Sequence, residues 1–244
     1  MDGNGTPSRP IQPIVLDFRE ADPPAGHAAH VKTPLTLSVA AGSLLLIDVS
    51  DWRQAATLID LATGLAAPLG GSVSFLGRNW AALPPSHADA MRGRIGHVLR
   101  HGNWIENLPV FDNILLAHRY HTRRPIAELK ADAVDLAVRF GLPGIPVGLP
   151  TQVDASDRQR AACVRAFLGR PALVILEEPT LGLGESVIEP LVNVIRRARD
   201  RDAAVLWFTE DRAVWADDSV PATERYRLRD VLYRASFQSV GDRR

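Results

Sequence analysis

The chain has a single cysteine, Cys163, so no disulfide can form within it. That scarcity fits a reducing compartment, and the position of Cys163 in the apolar spacing of a predicted helix makes it a small core residue. No apolar run approaches the roughly 18–20 residues that a membrane-spanning helix needs. The opening, Met1 to Pro10, is polar, is punctuated by Gly and Pro, and lacks the apolar stretch of a secretory leader, so residues 1–13 read as a disordered tail. Neither sign of charge is in excess. Twenty-eight basic residues balance 28 acidic ones, with a pI near 7.1, which removes the electrostatic basis for capturing nucleic acid or anionic lipid. There is no Gly-x-Ser-x-Gly elbow, and Gly182-x-Gly184 lacks the rest of a dinucleotide fingerprint. His27 with His30, His97 with His101 and His118 with His121 lack accompanying Cys or acidic ligands, so no metal site is expected. Internal repeats and low-complexity tracts are also absent.

What is present suits a buried core. The 244 residues are 46% hydrophobic and 23% charged, enough for one domain or a domain with a subdomain. Alternation and short apolar runs predict strands over 14–18, 35–39 and 43–48, a turn and strand over 70–77, and strands over 94–99, 173–176 and 203–209. A helix is expected over 54–64, where Ala55, Leu58, Ile59 and Ala62 share a face before Gly64. A second is expected over 186–199, and a strand pair over 225–228 and 231–237. Arg196 to Arg201 are expected to solvate the end of that second helix. Residues 84–165 read as mostly helical, apart from the 94–99 strand, and suit a helical insertion. Strands alternating with helices imply an α/β sheet with parallel pairing and ligands near the carboxyl ends of its strands.

The richest motif is Ala172-Leu-Val-Ile-Leu-Glu-Glu-Pro-Thr180, an apolar strand ending in two carboxylates. Asp157-Arg-Gln-Arg-Ala-Ala-Cys-Val-Arg-Ala-Phe-Leu-Gly-Arg-Pro171 precedes it. Together they resemble the signature-following helix and Walker B strand of an ABC-transporter ATPase. The resemblance implies a P-loop ATPase core, an antiparallel edge sheet and a helical subdomain, here about 84–165 within a domain of 14–244.

In that comparison the strand from Ala41 runs without a gap into the helix ending at Gly64, which fixes the phosphate loop as Val49, Ser50, Asp51, Trp52, Arg53, Gln54, Ala55, Ala56 and Thr57. The family expects G-x-x-G-x-G-K-[ST]-[ST], where glycines let backbone N–H groups approach the phosphates, Lys neutralises them and the next hydroxyl ligates magnesium. The chain has Val49, Trp52 and Gln54 for the glycines, Ala55 for the Lys and Ala56 for the metal-binding hydroxyl. Side chains at the glycine positions oppose formation of the N–H nest, Trp52 is expected to fill phosphate space, and Asp48 and Asp51 add negative charge. Losing one member of a buried charge pair costs about 3–5 kcal/mol, roughly two to three orders of magnitude in affinity.

The other family positions follow the same trend. Glu178 matches the catalytic glutamate, but Glu177 replaces the aspartate that supports magnesium, Arg100 the glutamine, and Glu210 the histidine. The signature L-S-G-G-x has become Val153, Asp154, Ala155, Ser156 and Asp157, while Leu181-Gly-Leu183-Gly184 keeps part of the D-loop. His101 to Leu115 resembles the segment that receives a permease, with Trp104, Ile105, Leu108 and Phe111 as apolar docking candidates. Val110-Phe-Asp-Asn113 is similar to the ATPases of Mce-type lipid transporters.

The resemblance therefore implies a degenerate ATP-binding subunit without its own turnover, scaffolding or regulating a transport complex. It would be cytoplasmic, held at the inner membrane face by a transmembrane permease, and paired with a second ABC ATPase. No ATP or magnesium is expected to bind. Two alternatives stand beside it: an active ATPase in which Arg53 and Thr57 replace Lys and Ser and which does use Mg-ATP, and a soluble interaction protein no longer tied to transport.

Overall fold

The structure, a computed structural model, describes residues 12–24, 31, 33–184 and 187–235. The expected tail up to residue 11, His27, His30, Ser186 and the end of the last expected strand, 236–237, lie outside them. The chain begins with β1 (Ile14–Ala21), β2 (Leu35–Ala40), β3 (Leu44–Val49) and α1 (Trp52–Ala62), then β4 (Ser72–Phe75), β5 (Arg78–Asn79), α2 (Pro85–Arg92) and β6 (Ile95–Val98). Three helices follow, α3 (Val110–His121), α4 (Ile126–Arg139) and α5 (Ala155–Phe167). It closes with β7 (Leu173–Glu177), α6 (Ile188–Arg199), β8 (Ala204–Thr209), α7 (Arg212–Ala216), β9 (Glu224–Leu228) and β10 (Leu232–Arg234).

Two sheets result. A four-stranded antiparallel sheet runs β2-β1-β4-β5, and a six-stranded sheet runs β10-β9-β3-β8-β7-β6. In the latter every pairing is parallel except β10 with β9. Its central strands are apolar on both faces because both are covered. Leu44, Leu46, Val174, Leu176, Val205 and Trp207 join the core under α3 to α6. Their neighbours in sequence, Leu45, Ile47, Ile175, Leu206 and Phe208, point the other way, toward α1 and the antiparallel sheet.

The expected helical stretch over 84–165 divides at β6. Ala88 and Met91 of α2 pack in the core shared with the antiparallel sheet, whereas α3, α4 and α5 contribute Ile114, Leu129, Ala133, Val164 and Phe167 to the other. The helix after β3 also starts earlier than its apolar spacing implies, at Trp52 instead of Gln54, because Asp51 caps it. A tight seam joins β6 to α5: a Cβ on Gly96 would lie 1.8 Å from the Ala166 carbonyl oxygen, so only glycine fits there.

Candidate functional site

The carboxyl ends of β3, β7 and β8, with the segment after β6, bring most of the sequence-predicted site residues to one end of the six-stranded sheet. At the end of β3 the chain turns through Ser50 and Asp51 and enters α1 at once. The Asp51 side chain accepts a hydrogen bond from Arg53 N at 3.0 Å, and its carbonyl accepts from Gln54 N and Ala55 N at 3.0 and 3.4 Å. An aspartate at this position satisfies amides that a helix N-terminus otherwise offers to an anion, and its charge suits the helix dipole.

Both groups proposed to substitute for the missing Lys and Ser are engaged elsewhere. Arg53 forms an ion pair with Asp51 at 2.7 Å on the surface, and the Thr57 hydroxyl, fully buried, donates to the Arg53 carbonyl at 3.0 Å. Ala55 is also fully buried, while Ala56 is exposed.

Trp52, Arg100 and Glu210 meet although they are far apart in sequence. The Trp52 indole N–H donates to Glu210 Oε2 at 2.9 Å, Arg100 donates to Glu210 Oε1 at 3.2 Å, and the Arg100 guanidinium lies 4.7 Å from the Trp52 ring centroid. The carboxylate thus bridges an indole and a guanidinium that also stack on each other. Each of these residues occupies a position where the resemblance expects a nucleotide-contacting group, and here they contact one another.

Below this cluster lies Glu178, nearly buried. Its Oε2 accepts from the Thr209 hydroxyl at 3.0 Å and its Oε1 from the Glu210 backbone N–H. Burial pushes its carboxyl above the usual range, against the lowering effect of those two donors. Its backbone sits at φ 43°, a left-handed conformation that non-glycine residues rarely adopt. Gln159 of α5 clamps that turn, donating to the Glu178 and Pro179 carbonyls at 3.1 and 3.2 Å. Glu177 faces away from the cluster, 2.6 Å from His97 Nε2.

The expected strand pair forms as β9 and β10, but neither the His97 partner of Glu177 nor the reach of the β9–β10 turn into this site is evident from the sequence. Arg229 in its turn reaches Asp48 at 2.8 Å and also donates to the Asp48 carbonyl at 3.1 Å. Ser50 donates to the Leu228 carbonyl at 3.3 Å and Gln54 to Asp230 at 3.4 Å. The charges that Asp48 and Asp51 bring are therefore countered by Arg229 and Arg53.

The segment that the resemblance aligns with the signature opens α5. Val153 packs partly against the core, Asp154 stands before the helix without a side-chain capping bond, Ala155 and Ser156 form the first turn, and Asp157 pairs with Arg160 at 3.1 Å. This end of α5 presents carboxylates. Among the docking candidates, Ile105 is exposed, Leu108 half-buried, and Trp104 and Phe111 pack partly against the core, with Arg165 4.5 Å over the Trp104 ring. The buried Asn113 side chain has a structural role that the Val110-Phe-Asp-Asn113 similarity does not reveal. It accepts from Ile105 N at 2.9 Å and donates to the Ile105, Leu108 and Pro109 carbonyls at 3.1, 2.8 and 3.2 Å, fixing the loop before α3.

No protein-family model matches the chain. It is 30% identical over 181 residues to the lipoprotein-releasing system ATP-binding protein LolD of Nitratidesulfovibrio vulgaris, covering 74% of this chain and 77% of that one. It is also 30% identical over 170 residues to the methionine import ATP-binding protein MetN of Caulobacter vibrioides, covering 70% of this chain and 50% of that one. The chain spans about half the length of this relative and 32% of a macrolide export ATP-binding/permease protein from Rhodopirellula baltica. A bacterial ABC transporter cassette solved as a dimer superposes with a TM-score of 0.75 at 17% identity, over 91% of this chain and all of that one. The order of strands and the Walker B exit agree with these relationships, and the chain belongs to the ATP-binding proteins of ABC transporters.

Proposed function

We propose that this chain is a pseudo-ATPase subunit, a scaffold or regulator in a membrane transport complex that does not hydrolyse ATP itself. The observation that carries this reading is the Trp52–Arg100–Glu210 cluster beside the Asp51-capped start of α1. The residues present do not fit a magnesium nucleotide. The helix amides are satisfied by Asp51, no Lys stands at Ala55, Ala56 has no hydroxyl for a metal, and Glu177 is held by His97. Glu178 keeps its place but has no held γ-phosphate on which a water-polarising base could act. An active ATPase relying on Arg53 and Thr57 has less support, since one is paired to Asp51 and the other is bonded to the Arg53 carbonyl.

In this reading the chain lies at the cytoplasmic face of the membrane through a permease subunit and pairs with a second ABC ATPase. Among the described residues no helix is long and apolar enough to cross a membrane, and in this reading the permease supplies the attachment. A competent partner would bring one intact phosphate loop to face Asp154 and Asp157, while the Trp52 side remained closed. A lipid-like cargo is the class we favour, from the Val110-Phe-Asp-Asn113 similarity, and a lipoprotein-releasing ATPase stands among the relatives.

Calorimetric titration with Mg-ATP tests the first half of the proposal: binding no tighter than millimolar is expected, and a micromolar dissociation constant refutes it. Co-purification tests the second. Recovery with a multi-spanning subunit is expected, whereas a chain that never associates with one is a soluble interaction protein.

A further inference from the structure

A second charged site lies at the opposite end of the six-stranded sheet, independent of any reading of the nucleotide position. Arg170 sits in the turn before β7 and Arg201 in the turn before β8, at the amino ends of strands whose carboxyl ends carry Glu177 and Glu210. With Arg139 at the end of α4 and Arg197 in the last turn of α6, they line one cavity of about 150 Å³, together with Asp132 and Asp135. The cavity opens beside a wider groove along α6, of about 870 Å³, which Arg139 and Arg197 also border.

The charge within it is unbalanced. Asp132 is engaged by Arg124 at 2.9 Å and Asp135 by Arg139 at 2.8 Å. Arg170, Arg197 and Arg201 have no ion pair or side-chain hydrogen bond among the described residues. Clustered guanidiniums repel one another, and a chain with no net charge gains nothing in solubility from gathering them at one place. Arg201 feels this directly: its guanidinium is held below its usual value by partial burial, then by Arg170, Arg197 and, more weakly, Arg139, against the opposing charge of Asp200. Planar, multiply donating guanidiniums that approach one space from different elements match the geometry of a phosphate oxyanion. A cavity of about 150 Å³ has room for a phosphoryl group.

We propose that the cavity between α4, α6 and the turns before β7 and β8 is a binding site for a phosphoryl group, held by Arg170, Arg197 and Arg201 with Arg139 at its edge. The group can be carried by a soluble phosphate compound or by a lipid headgroup, since both present the same oxyanion.

Isothermal titration of the full chain with inorganic phosphate and with pyrophosphate, in chloride buffer at constant ionic strength, tests the site. Saturable binding is expected, weakened about tenfold or more in the double variant Arg197→Gln/Arg201→Gln by loss of two charge-assisted donors. Both residues are exposed, so the variant keeps the fold. Its melting temperature without phosphate is expected to match or exceed that of the parent, because repulsion is relieved, and its phosphate-induced rise in melting temperature to vanish. Absence of saturable heat with either anion, or equal affinity in the double variant, overturns the proposal. Cosedimentation with phosphatidylcholine vesicles containing phosphatidylglycerol then names the source: capture that depends on these arginines assigns a lipid-borne phosphate, and no capture with phosphate binding intact assigns a soluble one.

Discussion

The Trp52 indole and the Arg100 guanidinium stack 4.7 Å apart while both hold the Glu210 carboxylate, at 2.9 and 3.2 Å. A double-mutant cycle between Trp52→Phe and Glu210→Gln measures whether this closure persists in solution. A coupling of roughly 0.5–1 kcal/mol in urea denaturation is expected, modest because the cluster is partly solvated. Zero coupling would show that the cluster opens freely.

Restoring the Lys of the phosphate loop is not expected to restore turnover. Ala55 is fully buried, so Ala55→Lys places an ammonium in the apolar core beneath α1 and lowers stability by roughly 2–4 kcal/mol. A thermal melt together with a phosphate-release assay checks both halves. Magnesium-dependent hydrolysis by this variant contradicts the proposed pseudo-ATPase.

Glu178→Gln is expected to stabilise the chain increasingly as pH rises. Burial holds the Glu178 carboxyl above its ordinary 4.5, so between that value and its folded value the native state binds more protons than the unfolded one, and stability declines with pH. Glutamine mimics the protonated form: its carbonyl accepts from Glu210 N–H and its amide donates to the Thr209 hydroxyl. The advantage over the parent should be larger at pH 8 than at pH 4 by chemical denaturation. Biological function should survive this change.

For docking, Ile105→Glu is a cleaner probe than Trp104→Glu, because Ile105 is 44% exposed whereas Trp104 packs partly against the core under Arg165. Its expected result is release from the membrane fraction with an unchanged melt. Retention there would remove the 104–111 surface from the docking assignment.

Gly96→Ala is expected to cost about 1–3 kcal/mol or more, since its new methyl meets the Ala166 carbonyl at 1.8 Å and the backbone must move. A thermal melt that matches the parent would show that the β6–α5 seam is loose.

Much of the fold was legible because the central strands are buried on both faces and therefore appear as unbroken apolar runs, such as Leu173 to Leu176 and Ala203 to Phe208. The start of α1 was misread because apolar spacing begins at Ala55, yet the capping signal, an aspartate at 51, was there to be found. The cluster at the site was not legible. Trp52 and Glu210 are separated by 158 positions and meet only because β3 and β8 are neighbours in the sheet. His97, taken with His101, shows no acidic partner in the sequence, since its partner Glu177 depends on the pairing of β6 with β7. The arginines at 196–201 were read as helix solvation because the contributions of Arg139 and Arg170 come from other elements.

The position of β3 has a consequence for how the chain is made. Its two neighbours in the sheet, β8 and β9, both come from the last fifth of the sequence. During synthesis β3 therefore waits with both edges open while well over a hundred residues are added, and its pairing carries a large loop-closure cost. Fragments ending before Ala204 cannot complete it and present to one another a strand that is apolar from Leu44 to Ile47, the condition under which nascent chains aggregate or recruit chaperones.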